Sequence, residues 1–173
     1  MKLFKKIKKI YIASDHAGYP LKKLIIKEFL SKNRINFQDL GTNSEKSVDY
    51  PNFAKKLCKN INKTSMGILI CGSANGVAMT ANKHNDVRAC IAWTPEIASL
   101  GRQHNDANVL CIPARFVSEE TALEMVDAFF SSDFEGGRHT RRVGKISCAM
   151  VAMFAMVLSG WGQRELTDPG FVN

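Results

Sequence analysis

Short apolar runs of strand length alternate with segments of helical period along most of the 173 residues, and few architectures accept that alternation. Ile10–Ala13 is the first run, and Leu21, Leu24, Ile25 and Phe29 then recur at helical spacing. Ile35–Leu40, closed by Gly41, reads as a second strand, and Phe53, Ala54, Leu57, Cys58 and Ile61 as the apolar face of a helix. Met66–Cys71 is the third strand and Arg88–Trp93 the fourth, with a helix-compatible stretch, 77–83, between them. Thr94-Pro95-Glu96 has the form of a helix start, a capping Thr followed by Pro at the first helical position. Val109–Ile112 is the fifth strand, and Ser118 opens a helix whose Ala122, Met125, Val126 and Phe129 share one face. The pattern predicts an α/β chain: a three-layer α/β/α sandwich around a Rossmann-like, five-stranded parallel sheet.

No repeat or long linker divides the chain, so residues 1–145 are expected to form one domain. Residues 146–173 differ: they are rich in Ala and Met, end in Thr167-Asp168-Pro169-Gly170, and form a tail of unclear role. The apolar stretch Ala149–Leu158 is far short of the ~20 residues a membrane span needs. Only Ile10–Ala13 is apolar after the basic start, too short for a signal-peptide core. Five cysteines (Cys58, Cys71, Cys90, Cys111, Cys148) with no C-x-x-C pair indicate free thiols in a reducing compartment. A soluble, cytoplasmic protein with no membrane partner is expected.

The net charge of +8 gathers at Lys2, Lys5, Lys6, Lys8 and Lys9, and again at Arg138, Arg141, Arg142 and Lys145 around His139. The first group reads as a solvated arm. The second is the better anion-site candidate. Charge alone also admits nucleic acid, but no nucleic-acid-binding module is present, and none is expected as a partner.

The stretch Gly67 to Gly76 holds the densest chemistry. An apolar strand ends on Cys71 and opens into the small-residue turn Gly72-Ser73-Ala74-Asn75-Gly76. Such a turn leaves backbone N–H groups facing one concavity, suited to an oxyanion or phosphate. A thiol at its lip is expected to feel the same field, which favours the thiolate. A buried strand cysteine beside a tight turn fits these residues too. In open α/β sheets, ligands sit at the carboxyl ends of the strands. Asp15 and His16 follow strand one, Cys71 and Ser73 close strand three, and Arg115 follows strand five, so all converge on that edge.

With these pieces in order the chain resembles the ribose-5-phosphate isomerase B family, which includes galactose-6-phosphate isomerases. The matching stretches are Ala13 to Gly18, Asp49-Tyr50-Pro51, Leu69 to Ser73, Ala81-Asn82-Lys83, Arg102 to Asp106 and Gly136-Gly137-Arg138-His139. The resemblance implies a cofactor-free, metal-free aldose–ketose isomerase, a homodimer or dimer of dimers with shared sites acting on a sugar phosphate. It implies that Cys71 moves a proton between C1 and C2, with Ser73 in the catalytic set. The loop Gly72, Ser73, Ala74, Asn75 and Gly76 would hold the enediolate oxygen. His104 would open the furanose ring, with Asn105 beside it on the sugar. Asp15, His16 and Tyr50 would contact the substrate, and Arg115, Arg138 and Arg142 would hold its phosphate. Two positions depart from the family: Ala74 stands where Gly is usual, and Val77 stands where a second branch has Glu.

The residue types suit the reaction. Histidine titrates near neutrality and can move a proton to a ring oxygen. Loop N–H groups can stabilise the enediolate. A metal-dependent hydride shift needs clustered carboxylates and histidines, and the linear sequence presents no such cluster. A six-carbon aldose phosphate is the alternative substrate. A nucleotide-binding module is the alternative of another class, but G-x-G-x-x-G and Gly-Lys-Ser/Thr signatures are both missing from the loop. His104 precedes strand five, opposite Arg115, so it is expected to serve the site of a partner subunit.

Overall fold

The computed structural model describes residues 7–146. Five strands, β1 (Lys9–Ser14), β2 (Phe37–Asp39), β3 (Ser65–Cys71), β4 (Ala89–Ile91) and β5 (Val109–Pro113), form one sheet in the order β2-β1-β3-β5-β4. Every pairing is parallel. Six helices connect and cover them: α1 (Tyr19–Ile25), α2 (Tyr50–Cys58), α3 (Asn75–Ala81), α4 (Pro95–Asn105), α5 (Glu119–Ser131) and α6 (Arg138–Val143). α1 runs on into a wider, π-type turn, Ile26–Ser31, which brings both Phe29 and Leu30 into the core. The layered α/β/α architecture is as the alternation predicts.

β3 is buried along its whole length, so it reads as a continuous apolar run rather than an alternating one. Its side chains still alternate between faces. Met66, Ile68 and Ile70 pack with α1, α4 and α5 around Phe129 and Phe130. Leu69 and Cys71 join Leu57, Val77 and Ala81 of α2 and α3 on the opposite face. Each fully buried Ile or Leu contributes about 1.5–3 kcal/mol. Gly67 admits α2 to close range, since a Cβ there would lie 2.6 Å from a Leu57 methyl.

β2 and β4 are shorter than their apolar runs. Beyond Asp39, the Gly41 N–H turns to the Asp39 carboxylate at 2.9 Å, while the Gly41 carbonyl and the Thr42 N–H stay bonded to Ser14 at 2.8 and 2.9 Å. Before Ala89, the Arg88 N–H bonds to the Asn108 side chain at 2.8 Å. Asn82 brackets Ala89 through both its amide groups, at 2.8 and 2.9 Å, which blunts this edge strand. Lys9 belongs to β1, with its ammonium on Gln38 at 2.8 Å, so it is not part of a free basic arm. Lys2, Lys5, Lys6, Cys148 and residues 147–173 of the tail lie outside the described residues.

Helical spacing marks Leu21 and Ile25 as core but gives no sign that Lys22 is fully buried between them. Its ammonium donates to the Asp39 carboxylate and to the Thr42 carbonyl, each at 2.6 Å. Burial pushes its pKa down, and Asp39 opposes that shift. Taking away the carboxylate leaves a buried cation with one neutral acceptor. Asp39→Ala is therefore expected to lower unfolding free energy by about 2–3 kcal/mol in urea denaturation, and Lys22→Met by less. A cost for Lys22→Met equal to or above that for Asp39→Ala would contradict this reading.

Candidate active site

The chain leaves β1 toward β2 on one side, and β3 lies on the other, so the carboxyl ends of β1 and β3 flank the point where strand order reverses. Crevices of this kind take ligands in open α/β sheets. The ladder pairs Ser14 with Ile70 and continues through the Asp15 N–H to the Ile70 carbonyl at 3.1 Å, which sets Asp15 beside Cys71. One carboxylate oxygen of Asp15 accepts the Gly18 N–H at 2.9 Å, and the other accepts the Cys71 thiol proton at 2.9 Å. Gly18 must be glycine for this turn, because a Cβ would fall 2.6 Å from the Ile70 carbonyl oxygen.

Cys71 is a thiol, and the expectation of a thiolate needs correction. Burial pushes its pKa up to about 11, and the Asp15 hydrogen bond and negative charge push the same way. Backbone hydrogen bonds from Ala74 and Gly72 pull in the expected direction but are outweighed. The turn thus delivers the positive field that its sequence suggests. Burial outweighs that field, and the carboxylate facing the thiol, 56 positions away in sequence, adds to the same side.

Ala74 adopts a left-handed conformation, φ 62° and ψ −10°, at the entrance to α3. The usual glycine would hold it freely, whereas alanine costs about 1–2 kcal/mol there. Ala74 holds this angle despite its Cβ. Val77 is buried within α3, so no carboxylate occupies the place of the second family branch. Gly76 leaves room for the Tyr50 ring, which covers the loop from the start of α2. Arg115 lies over Gly72, its Nε 3.5 Å from where a Cβ would stand, and its N–H bonds to the Gly72 carbonyl at 3.1 Å. His16 accepts the Val48 N–H on Nδ1 at 3.4 Å. Ser73 and Asn75 are exposed on the rim. Asp15, His16, Tyr50, Cys71, the loop and Arg115 are thus brought to one edge.

His104, Asn105, Arg138 and Arg142 are not. α4 returns from the carboxyl end of β4 to the start of β5, so its last turn lies at the amino ends of the strands. There α6 packs against it. Arg138 and Arg142 are both exposed on α6, four positions apart. The His104 and His139 rings stack at 4.3 Å and 5°. Glu135 lies 3.7 Å from His104 Nε2 and 3.9 Å from His139 Nε2. His139 is held below the usual imidazole range by burial, then by His104 and Arg138.

Sequence reasoning missed this grouping. His139 stands in a basic run and in the family-matching stretch Gly136-Gly137-Arg138-His139, but neither gives it a role, and Glu135 carries no signal at all. The fold therefore assembles two histidines and a carboxylate whose ligating atoms lie within 4.8 Å of one another, a cluster the linear sequence does not present. Their arrangement is nevertheless poor for a metal. The lone pairs of near-parallel rings lie in parallel planes and do not converge on one point, and the Arg138 Nε–H donates to His139 Nε2 at 3.3 Å.

The thiol's environment predicts its reactivity. Alkylation of Cys71 by iodoacetamide, followed by peptide mass spectrometry, is expected to accelerate about tenfold per pH unit from pH 7 toward about 11, as the thiolate fraction rises. Asp15→Asn removes the negative charge and is expected to speed alkylation at pH 8. An unchanged rate in that variant would show that Asp15 does not hold the proton on Cys71.

A sequence model of the family described as Ribose/Galactose Isomerase matches residues 10–146. The chain is 48% identical over 140 residues to a probable ribose-5-phosphate isomerase B of Mycoplasma pneumoniae, covering 79% of this chain and 91% of that one. It is 38% identical over 143 residues to ribose-5-phosphate isomerase B of Escherichia coli, covering 82% and 95%. Among solved structures, the Thermotoga maritima ribose 5-phosphate isomerase superposes with a TM-score of 0.77 at 45% identity, covering 80% of this chain and 97% of that one. The Mycoplasma genitalium ribose-5-phosphate isomerase B with bound ribulose-5-phosphate gives 0.73 at 47% identity, covering 80% and 93%. With the sheet, the switch-point crevice and these matches in agreement, the chain belongs to the ribose/galactose isomerase family.

Proposed function

We propose that this chain interconverts ribose 5-phosphate and ribulose 5-phosphate through an enediolate, at a site completed by a second copy of itself. The observation that carries the reading is the Cys71 thiol, seated between the Asp15 carboxylate at 2.9 Å and the N–H groups of the loop. A mobile proton, an acceptor for it and donors for a developing oxyanion are the three parts an enediolate step needs.

The steps follow from those parts. His104 gives a proton to the furanose ring oxygen, the C1 hydroxyl loses its own proton to solvent, and the C1–O4 bond breaks to release the aldehyde. Cys71 passes its own proton to Asp15, takes the C2 proton as thiolate and returns it to C1. Negative charge grows on the C1 oxygen in the electron shift, and each well-placed loop N–H is worth about 3–4 kcal/mol there. The exposed Ser73 hydroxyl is placed to exchange the remaining proton between the sugar oxygens. Arg115 anchors one end of the substrate at this edge, and the partner's Arg138 and Arg142 take the phosphate with forked, charge-assisted hydrogen bonds.

A single subunit holds Cys71 and His104 at opposite ends of the sheet, which is the reason for a shared site. Large apolar side chains near the crevice favour a covering partner: Trp93 is 57% and Phe116 73% exposed just past β4 and β5, and Met79 of α3 is 66% exposed. The described relatives are named ribose-5-phosphate isomerases, which favours the pentose over a six-carbon aldose phosphate.

A coupled assay that offers ribose 5-phosphate, galactose 6-phosphate and allose 6-phosphate in turn tests the substrate. Turnover is expected to be highest with the pentose and to survive a chelator. Cys71→Ala should lower kcat by a factor of about 1,000 or more with little change in binding. Near-normal turnover by the alanine variant would make Cys71 structural.

A further inference from the structure

We propose that His139 and Glu135 form a positioning pair for His104, the first fixing the plane of its ring and the second the direction of its Nε2 edge. This rests on the reading of His104 as the ring-opening group.

His139 is buried and His104 half-buried, and the two rings lie within 5° of parallel at 4.3 Å. A ring held face to face can turn about its Cβ–Cγ bond only by breaking the stack, so stacking restricts that angle. It does not decide where the Nε2 edge points. Glu135 supplies that, with its carboxylate 3.7 Å from His104 Nε2. The backbone of Glu135 is fixed in turn to the residue before His104, since its N–H donates to the Gln103 carbonyl at 3.0 Å. The position of Glu135 is therefore tied to the last turn of α4.

The chain spends two unusual residues on bringing His139 here. Gly136 and Gly137 have φ of 69° and 53° in succession, a reversal that side chains resist. α6 begins directly after them, and the His139 N–H closes the turn on the Gly136 carbonyl at 3.0 Å. Arg138, next in sequence, donates from Nε to His139 Nε2 at 3.3 Å. His139 is thus an acceptor occupied by its neighbour, which suits a supporting plate better than a proton donor. α5, which also packs on α4, sets Phe129 against Arg102, and Ser132, just past its end, meets Ser99.

Opening a furanose requires the donor proton in line with the ring oxygen, and a misdirected imidazole loses that step alone. The enediolate step at Cys71 does not use His104. A four-carbon aldose phosphate cannot form a furanose, because its C4 oxygen carries the phosphate, so it bypasses ring opening.

The test compares kcat and KM on ribose 5-phosphate and erythrose 4-phosphate for His139→Ala, His139→Phe, Glu135→Ala and Glu135→Gln, with folding checked by thermal melting. His139→Ala and Glu135→Ala are expected to lose about tenfold in kcat on ribose 5-phosphate, with KM nearly constant and erythrose 4-phosphate turnover kept within about twofold. His139→Phe, which keeps a flat partner, and Glu135→Gln, which keeps an acceptor, should each recover at least half of that loss. Equal losses on both sugars, or no recovery by the conservative variants, would overturn the proposal. If His104→Asn itself fails to separate the two sugars, the ring-opening assignment of His104 is wrong instead, and the proposal falls with it.

Discussion

The register of β1 on β3 governs everything else at the candidate site. Because Ser14 stands opposite Ile70, the next residues of each strand, Asp15 and Cys71, leave the ladder side by side where strand order reverses. A slip of one residue would turn Cys71 to the opposite face and separate the thiol from its carboxylate. The register is held by burial on both faces, with Ile12 and Ile68 on one side and Ala13 and Leu69 on the other. Site geometry is therefore a consequence of core packing, and the loop adds donors to a thiol already placed.

That placement carries a chemical tension. A proton-transfer base, the role proposed for Cys71, must spend part of its cycle as thiolate, yet burial pushes its pKa up to about 11. The loop amides and Asp15 act in opposite directions on the same sulfur.

Much of this was legible in the sequence because buried parallel strands write themselves as unbroken apolar runs. Met66–Cys71 and Val109–Ile112 were readable for that reason, and so was the carboxyl edge where Asp15, Cys71 and Arg115 meet. What escaped depends on contacts between distant segments. Lys22 lies on an apolar helix face, and its contacts with Asp39 and the Thr42 carbonyl, 17 and 20 positions on, explain it. The protonation state of Cys71 required knowing which group faced it. The stack of His104 on His139 required α6 to fold back on α4. Periodicity reports which way a residue points from its own element, and it is silent on what another element brings opposite.

The separation of Cys71 from His104, Arg138 and Arg142 is the feature that most shapes the proposed mechanism. One subunit presents a thiol-bearing edge at the carboxyl ends of its strands and a basic, histidine-bearing edge at the other end. Two copies related by a twofold axis would place each kind of edge against the other, giving two equivalent composite sites. The most direct measurement mixes Arg142→Ala chains with Cys71→Ala chains, each inactive alone, and assays ribose 5-phosphate isomerisation after native mass spectrometry has verified exchange. Random pairing makes half of the dimers mixed, each with one intact site of two, so recovery approaching about one quarter of wild-type activity is predicted. No recovery in verified heterodimers would contradict the shared site.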